Sequence, residues 1–222
     1  LGDVYKRQTV VNLAIANDWM HKNPFAGIRF QEKEVIREVL TKEEIERMMC
    51  KEFALPRLEY VRDVFIFCVF TGMAYVDVNN LRQEHIVRDN NDDLWIRKAR
   101  QKTNNMCNIP LLKIPQLLME KYKNHPLCTK TGALLPVPSN QKMNSYLKEI
   151  ADFCGIQKNL TTHTARHTFA TVVALANGVS MENIAKMLGH SDIRMTQRYA
   201  KVMDSSIMRD MENVDKLFKS SE

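Results

Sequence analysis

The stretch RLEYVRDVFIFCVFT, residues 57 to 71, constrains this chain more than any other. From Val64 to Phe70 it has no polar side chain except the Cys68 thiol. A helix here is apolar around its circumference, so other elements must wrap it inside a helical core. No apolar run in the chain approaches the roughly 20 residues of a membrane span, so the expectation is a cytoplasmic protein with no membrane partner. Thr71-Gly72 breaks the run, and a short helix through Asp77 and Leu81 is expected next.

The flanking segments supply the wrapping. Thr41 and Glu44 form a T-x-x-E capping box, and Leu40 with Ile45 fits the hydrophobic staple around it. Helices are expected at 114 to 124, 140 to 154 and 163 to 177, the last ending at Asn177-Gly178. Ser180 caps MENIAKMLG, with Ile184, Met187 and Leu188 inward and Gly189 as terminator. A further helix carries Thr196, Tyr199 and Val202. The last, 205 to 218, is amphipathic through Ile207, Met211, Val214 and Phe218. Only residues 86 to 110 read as strand. LWIRKAR and NMCNIPL are short extended runs joined by the turn-like QKTNN. The fold class is therefore mainly α with a small antiparallel β-sheet (α+β).

Three domain-level segments are expected. Residues 1–22 contain a helix with Val10, Leu13, Ala14 and Asn17 on one stripe, stopped by KNPF. Alone it has nothing to bury that stripe against, so it reads as the tail of a preceding domain. Residues 23–40 read as a linker, and residues 41–222 as the main domain. The five cysteines are odd in number, widely spaced and without a CxxC pair, which fits free thiols rather than disulfides or a zinc knuckle.

Charge points to an anionic partner. The net charge is +6, and Arg97, Lys98, Arg100 and Lys102 crowd the β segment without an acid between them. A second polar cluster is TTHTARHTFATVV, where His163, Arg166 and His167 stand at i, i+3 and i+4. A guanidinium forks two donors onto a phosphate, and a histidine one turn away can serve the same oxygens. His163 and His167 also have the spacing of a zinc helix, which makes a metal-dependent hydrolase a rival reading. Thr164 stands where that motif needs glutamate, so neither a metal nor a cofactor is expected. His190 in LGHSD and Tyr199 in MTQRYAKV would draw no notice singly.

Together these residues resemble the tyrosine recombinase (phage integrase) family. Its H-x-x-R helix stands here as His163 to Arg166, its L-G-H loop as Leu188-Gly189-His190, and its tyrosine nine residues on as Tyr199. FTGMAYVDVNNL is similar to its T-G-x-R-x-x-E-x-x-x-L box, with Asp77 at the acidic position, and Lys102 matches its β-hairpin lysine. The resemblance covers roughly residues 41 to 204. It implies that residues 1–22 are the last helix of a core-binding domain.

The departure is Ala74, where most members carry a first catalytic arginine. The wording of the box is similar to integrases of Bacteroidetes conjugative transposons, which also lack it. Arg100 is the expected substitute, two residues before Lys102 on what reads as the same strand; Arg82 and Arg97 are the alternatives. The resemblance implies a DNA strand transferase working on double-stranded DNA in a tetrameric synapse. Tyr199 would be the nucleophile, His163 the general base and Lys102 the general acid. Arg166, His190 and Arg100 would bind the phosphate oxygens, with Asp77 supporting. Residues 205 to 218 would dock on a neighbouring protomer or on their own domain. Two further readings share the pattern: a degenerate DNA-binding regulator, and a type IB topoisomerase-like enzyme.

Overall fold

The computed structural model describes residues 2–26 and 38–200. The chain divides into two compact units, Leu1–Ile36 and Arg37–Glu222. In the first, α1 (Gly2–Ala16) is the expected helix, and its Val10 and Leu13 are exposed. The expected helix at 205 to 218 and Val202 lie outside the described residues.

The second unit is built around α3 (Pro56–Thr71), buried along nearly its whole length as its composition requires. It packs against α2 (Lys42–Cys50), α5 (Lys113–Tyr122), α7 (Asn140–Phe153) and α8 (Thr162–Thr168). Thr41 caps α2 with the full reciprocal box, and Leu40 beside it is fully buried, its amide donating to Thr168 Oγ1 at 3.0 Å. Leu40 thus belongs to this unit's core and not to an extended linker. Two charged side chains sit inside α3. Arg62 spans the carboxyl end of α2 by donating to Met48 O, Met49 O and Lys51 O. Asp63 pairs with Arg62 and accepts from Tyr122 Oη and Lys121 Nζ, both at 2.7 Å. Each buried charge is thereby partnered, which is the condition for tolerating it. All five cysteines are free, as expected.

The sheet has three strands in sequential order: β1 (Ile86–Arg88), β2 (Leu94–Ala99) and β3 (Met106–Pro110), all antiparallel. Ile96 opposes both Ile86 and Ile109, so one face carries the apolar pairs. Two residues along that same face, Lys98 opposes Cys107. β2 ends at Ala99. Arg100 and Lys102 therefore lie in the turn that follows, not on one strand as the sequence suggests.

Three local features differ from expectation. α4 (Tyr75–Asn79) stops before Leu81, and α6 (Pro126–Thr131) is an added short helix, capped by Gly132. The helix expected over 163 to 177 has three parts: α8, a π-helical stretch Phe169–Ala174 and a 3₁₀ turn Leu175–Asn177. Thr168 and Thr171 donate back to the carbonyls of Thr164 and His167, both at 2.8 Å. Such back-bonding competes with the amide ladder, and Thr171-Val172-Val173 adds β-branched crowding. After it come α9 (Met181–Leu188), capped by Ser180, and α10 (Arg194–Ala200). No described helix is long and apolar enough to cross a membrane.

Candidate active site

Arg166 is the hub. It is buried in α8, and its guanidinium donates to three acceptors at the ends of two other helices. Nη1 reaches Gly72 O at 2.6 Å, and Nη2 reaches Leu188 O at 2.6 Å and His190 Nε2 at 3.3 Å. Burial, then the nearby Arg100 cation, lowers its pKa from the ordinary guanidinium value.

Two glycines make this convergence possible. Gly72 ends α3 at φ 67°, and a Cβ there would overlap the Phe169 ring and come 2.7 Å from Leu188 Cδ2. Gly189 ends α9 at φ 62°, and a Cβ there would lie 2.7 Å from Cys107 Sγ and 3.6 Å from Arg100 Cβ. The Gly189 carbonyl accepts from Thr103 Oγ1 at 3.4 Å and Asn105 Nδ2 at 3.3 Å. The β2–β3 turn therefore seats directly against the corner that presents His190.

That seating decides what Arg100 does. Its backbone closes the turn, with Arg100 N–H donating to Asn105 O and Arg100 O accepting from Asn104 N–H, each at 2.8 Å. Its side chain is half-buried, and its charge acts on Arg166, His190 and Cys107. Arg100 Nε is buried and makes no hydrogen bond, a costly state that a phosphate oxygen would relieve. Asp77, buried on α4, accepts from Gln101 N–H at 2.9 Å and so pins the same turn from the other side. Neither alternative arginine is so placed. Arg82 is spent on Asn79 O and Leu81 O at the end of α4, and Arg97 is exposed. Ala74, the N-cap of α4, contributes no charge.

His190 follows α9. Burial first, then the Arg166 and Arg100 cations, holds its imidazole down to about 4. It is therefore neutral near neutrality, whereas an unfolded chain's histidine titrates near 6.5. Between those values the unfolded chain binds more protons, so acid favours unfolding. The contribution is fully present above pH 6.5 and lost as pH falls through 4. Urea midpoints taken from pH 7 to pH 4 should show wild type losing about 2 kcal/mol more than His190→Gln.

Tyr199 on α10 is buried in a small cluster with Phe169, Ala170, Ala174, Ile184 and Leu188. Its ring stacks on His190 (6.3 Å between centroids, 9° between planes) and meets His167 at 5.3 Å and 57°. His167 is thus a ring neighbour of the tyrosine.

Five of the expected residues are brought together by their electrostatic contacts. Arg166, His190, Arg100, Asp77 and Tyr199 form one electrostatic neighbourhood. His163 is exposed, although Arg166 one turn on is buried; the three acceptors draw Arg166 inward. Lys102 is exposed at the turn. Sequence reasoning counted Lys98 only in the basic run and did not place it at the site, where it lines a small cleft with Asp77, Cys107, Met73, Met187 and Arg166 and lies 3.2 Å from His85 Nε2. The alternation of β2 could have found it, because Lys98 shares the inward face of Ile96.

A helical domain with one small antiparallel sheet, and with an arginine, a histidine and a tyrosine meeting beside the sheet's turn, has the architecture of tyrosine recombinase catalytic domains. Solved structures agree on the fold. The integrase of the Tn1549 transposon with circular intermediate DNA superposes with a TM-score of 0.67 at 16% identity, covering 96% of this chain and 78% of that one. The XerA recombinase gives 0.60 at 21%, covering 95% and 75%. A lambda integrase dimer on a core site gives 0.66 at 18%, covering 86% and 69%. The chain belongs to the Phage integrase family, whose model matches residues 38–206. Among individual relatives, the tyrosine recombinase XerD of Staphylococcus saprophyticus is 40% identical over 95 residues, which is 43% of this chain and 31% of that protein. XerD of Staphylococcus epidermidis is 38% identical over the same length. The matched segment thus spans about a third of these relatives.

Proposed function

We propose that this chain carries the catalytic domain of a site-specific DNA recombinase that cleaves and rejoins DNA through a 3′-phosphotyrosyl intermediate. The observation that carries the reading is the convergence of Arg166, His190 and Arg100 beside Tyr199, with a buried Arg100 Nε that has no partner. Two guanidinium donors and an imidazole that can become a third, gathered at one small volume, suit a phosphate gathering charge on its non-bridging oxygens. The Tyr199 oxygen attacks phosphorus in line, a 5′-hydroxyl leaves, and the covalent link conserves the bond energy without ATP. His163 takes the tyrosine's proton and Lys102 supplies one to the leaving oxygen. Both are exposed and so open to a bound duplex. Asp77 holds the turn that bears Arg100.

Arg100 replaces the arginine missing at Ala74, a position that integrases of Bacteroidetes conjugative transposons also leave without it, and the biological task is integration or excision of a mobile element. The DNA complexes described for the Tn1549 integrase and for XerH on difH support a double-stranded DNA partner. A tetrameric synapse of protomers, residues 1–22 as the remnant of a core-binding domain, and trans docking of residues 205 to 218 complete the reading. Ala74 favours one rival, a regulator that binds DNA without cutting it. A nicked suicide substrate separates the two. A recombinase accumulates a covalent adduct that Tyr199→Phe lacks, whereas a regulator binds the duplex and forms none.

A further inference from the structure

Two contacts fix the protonation pattern of His190. Arginine has donors only, so the 3.3 Å contact makes His190 Nε2 the acceptor of an Arg166 N–H. A neutral imidazole with a bare Nε2 carries its proton on Nδ1. His190 Nδ1 lies 2.8 Å from Thr196 Oγ1, and Thr196 is 1% exposed. The ring's other surroundings are the Tyr199 ring stacked on one face and the Arg100 and Arg166 cations. The backbone amide of His190 donates to Ala185 O at 2.9 Å, so the main chain is held while the ring answers to its side-chain partners.

This arrangement leaves His190 in the wrong form to donate to a phosphate. Donation from Nε2 needs a proton there. Either the tautomer reverses, with the Thr196 hydroxyl becoming donor to Nδ1, or the ring gains a second proton with Thr196 still accepting. A hydroxyl can do both; a carbonyl or carboxylate allows only the second. Thr196 also lies on α10, three residues before Tyr199.

We propose that Thr196 is a positioning residue that sets the tautomer and orientation of His190 and links them to the helix that bears Tyr199. In the DNA-free protein it accepts the Nδ1 proton, leaving Nε2 to Arg166. When a phosphate oxygen takes over the Arg166 donor, Thr196 permits His190 to turn from acceptor to donor at Nε2 without moving the ring. The catalytic half of this statement rests on the proposed function; the tautomer half does not.

The test uses the whole chain labelled with ¹⁵N-histidine. Long-range ¹H–¹⁵N spectra at pH 7 report each tautomer, and His190→Gln identifies the His190 signals. Wild type is expected to show His190 protonated at Nδ1. Thr196→Ser should keep that pattern, and Thr196→Val, which keeps the shape without the hydroxyl, should lose it. On a suicide substrate, Thr196→Val should cleave about three- to tenfold more slowly with duplex affinity unchanged, and Thr196→Ser should restore the rate. A wild-type His190 protonated at Nε2, or a Thr196→Val spectrum identical to wild type, overturns the proposal, the first without any variant needing to fold. Cleavage by Thr196→Val at the wild-type rate overturns its catalytic half. If even wild type fails to cleave while the spectra behave as expected, the recombinase reading fails and the tautomer assignment stands.

Discussion

Arg166→Ala is expected to lower single-turnover cleavage of a nicked duplex by about 10³-fold, the upper range for one oxyanion-directed donor. The reason is more than a lost charge. The guanidinium is the one described group that ties Gly72 O at the end of α3, Leu188 O at the end of α9 and His190 together. Removing it leaves those buried acceptors without their donor, so stability should fall as well, by about 3 kcal/mol in a urea titration. Arg166→Lys separates the two effects. A lysine retains the charge but has no planar fork to reach three acceptors at once, so much of the catalytic loss should remain while less of the stability is lost.

Arg100→Ala should behave differently. Its backbone bonds, not its side chain, close the turn, so the variant is expected to fold with a nearly unchanged urea midpoint. Removal of a buried Nε without a partner takes away an unsatisfied group, which offsets the packing lost with the side chain. Cleavage should nonetheless fall by about 10²–10³-fold while duplex binding largely persists. Arg82→Ala and Arg97→Ala are the controls. The first should cost stability through the lost carbonyl contacts at the end of α4, and neither should abolish cleavage. Near-normal cleavage by Arg100→Ala removes the idea that this arginine stands in for the one missing at Ala74.

The two arginines also illustrate what the sequence conveys. Arg166 stands in a local pattern, H-x-x-R followed by L-G-H, and Gly189 announces the turn that delivers His190. The central helix, its Gly72 stop and the Thr41 box are similarly local: apolar run, left-handed cap and reciprocal hydrogen bonds all act within a few residues. Arg100 was legible as a basic residue but not as a neighbour of His190. Its place depends on the turn packing against Gly189, where Asn105 and its acceptor are 84 positions apart. The reason given by alternation along a strand was wrong, because β2 ends one residue earlier. The π-helical stretch escaped notice because, over six residues, its periodicity hardly differs from that of an α-helix. α6 is short and mostly polar or small, PLCTKT, and leaves no apolar stripe to read. The partners of Thr196 and His167, at His190 and Tyr199, are set by packing between elements and are not legible in the sequence.

The central claim is that Tyr199 becomes covalently joined to DNA. The most direct measurement is to trap the chain on a nicked duplex, digest the adduct and identify the modified peptide by mass spectrometry. The account predicts a 3′-phosphonucleotide on Tyr199, in the peptide that follows LGHSD, and no adduct with Tyr199→Phe. A duplex bound tightly but never joined, or an adduct on any other residue, contradicts it.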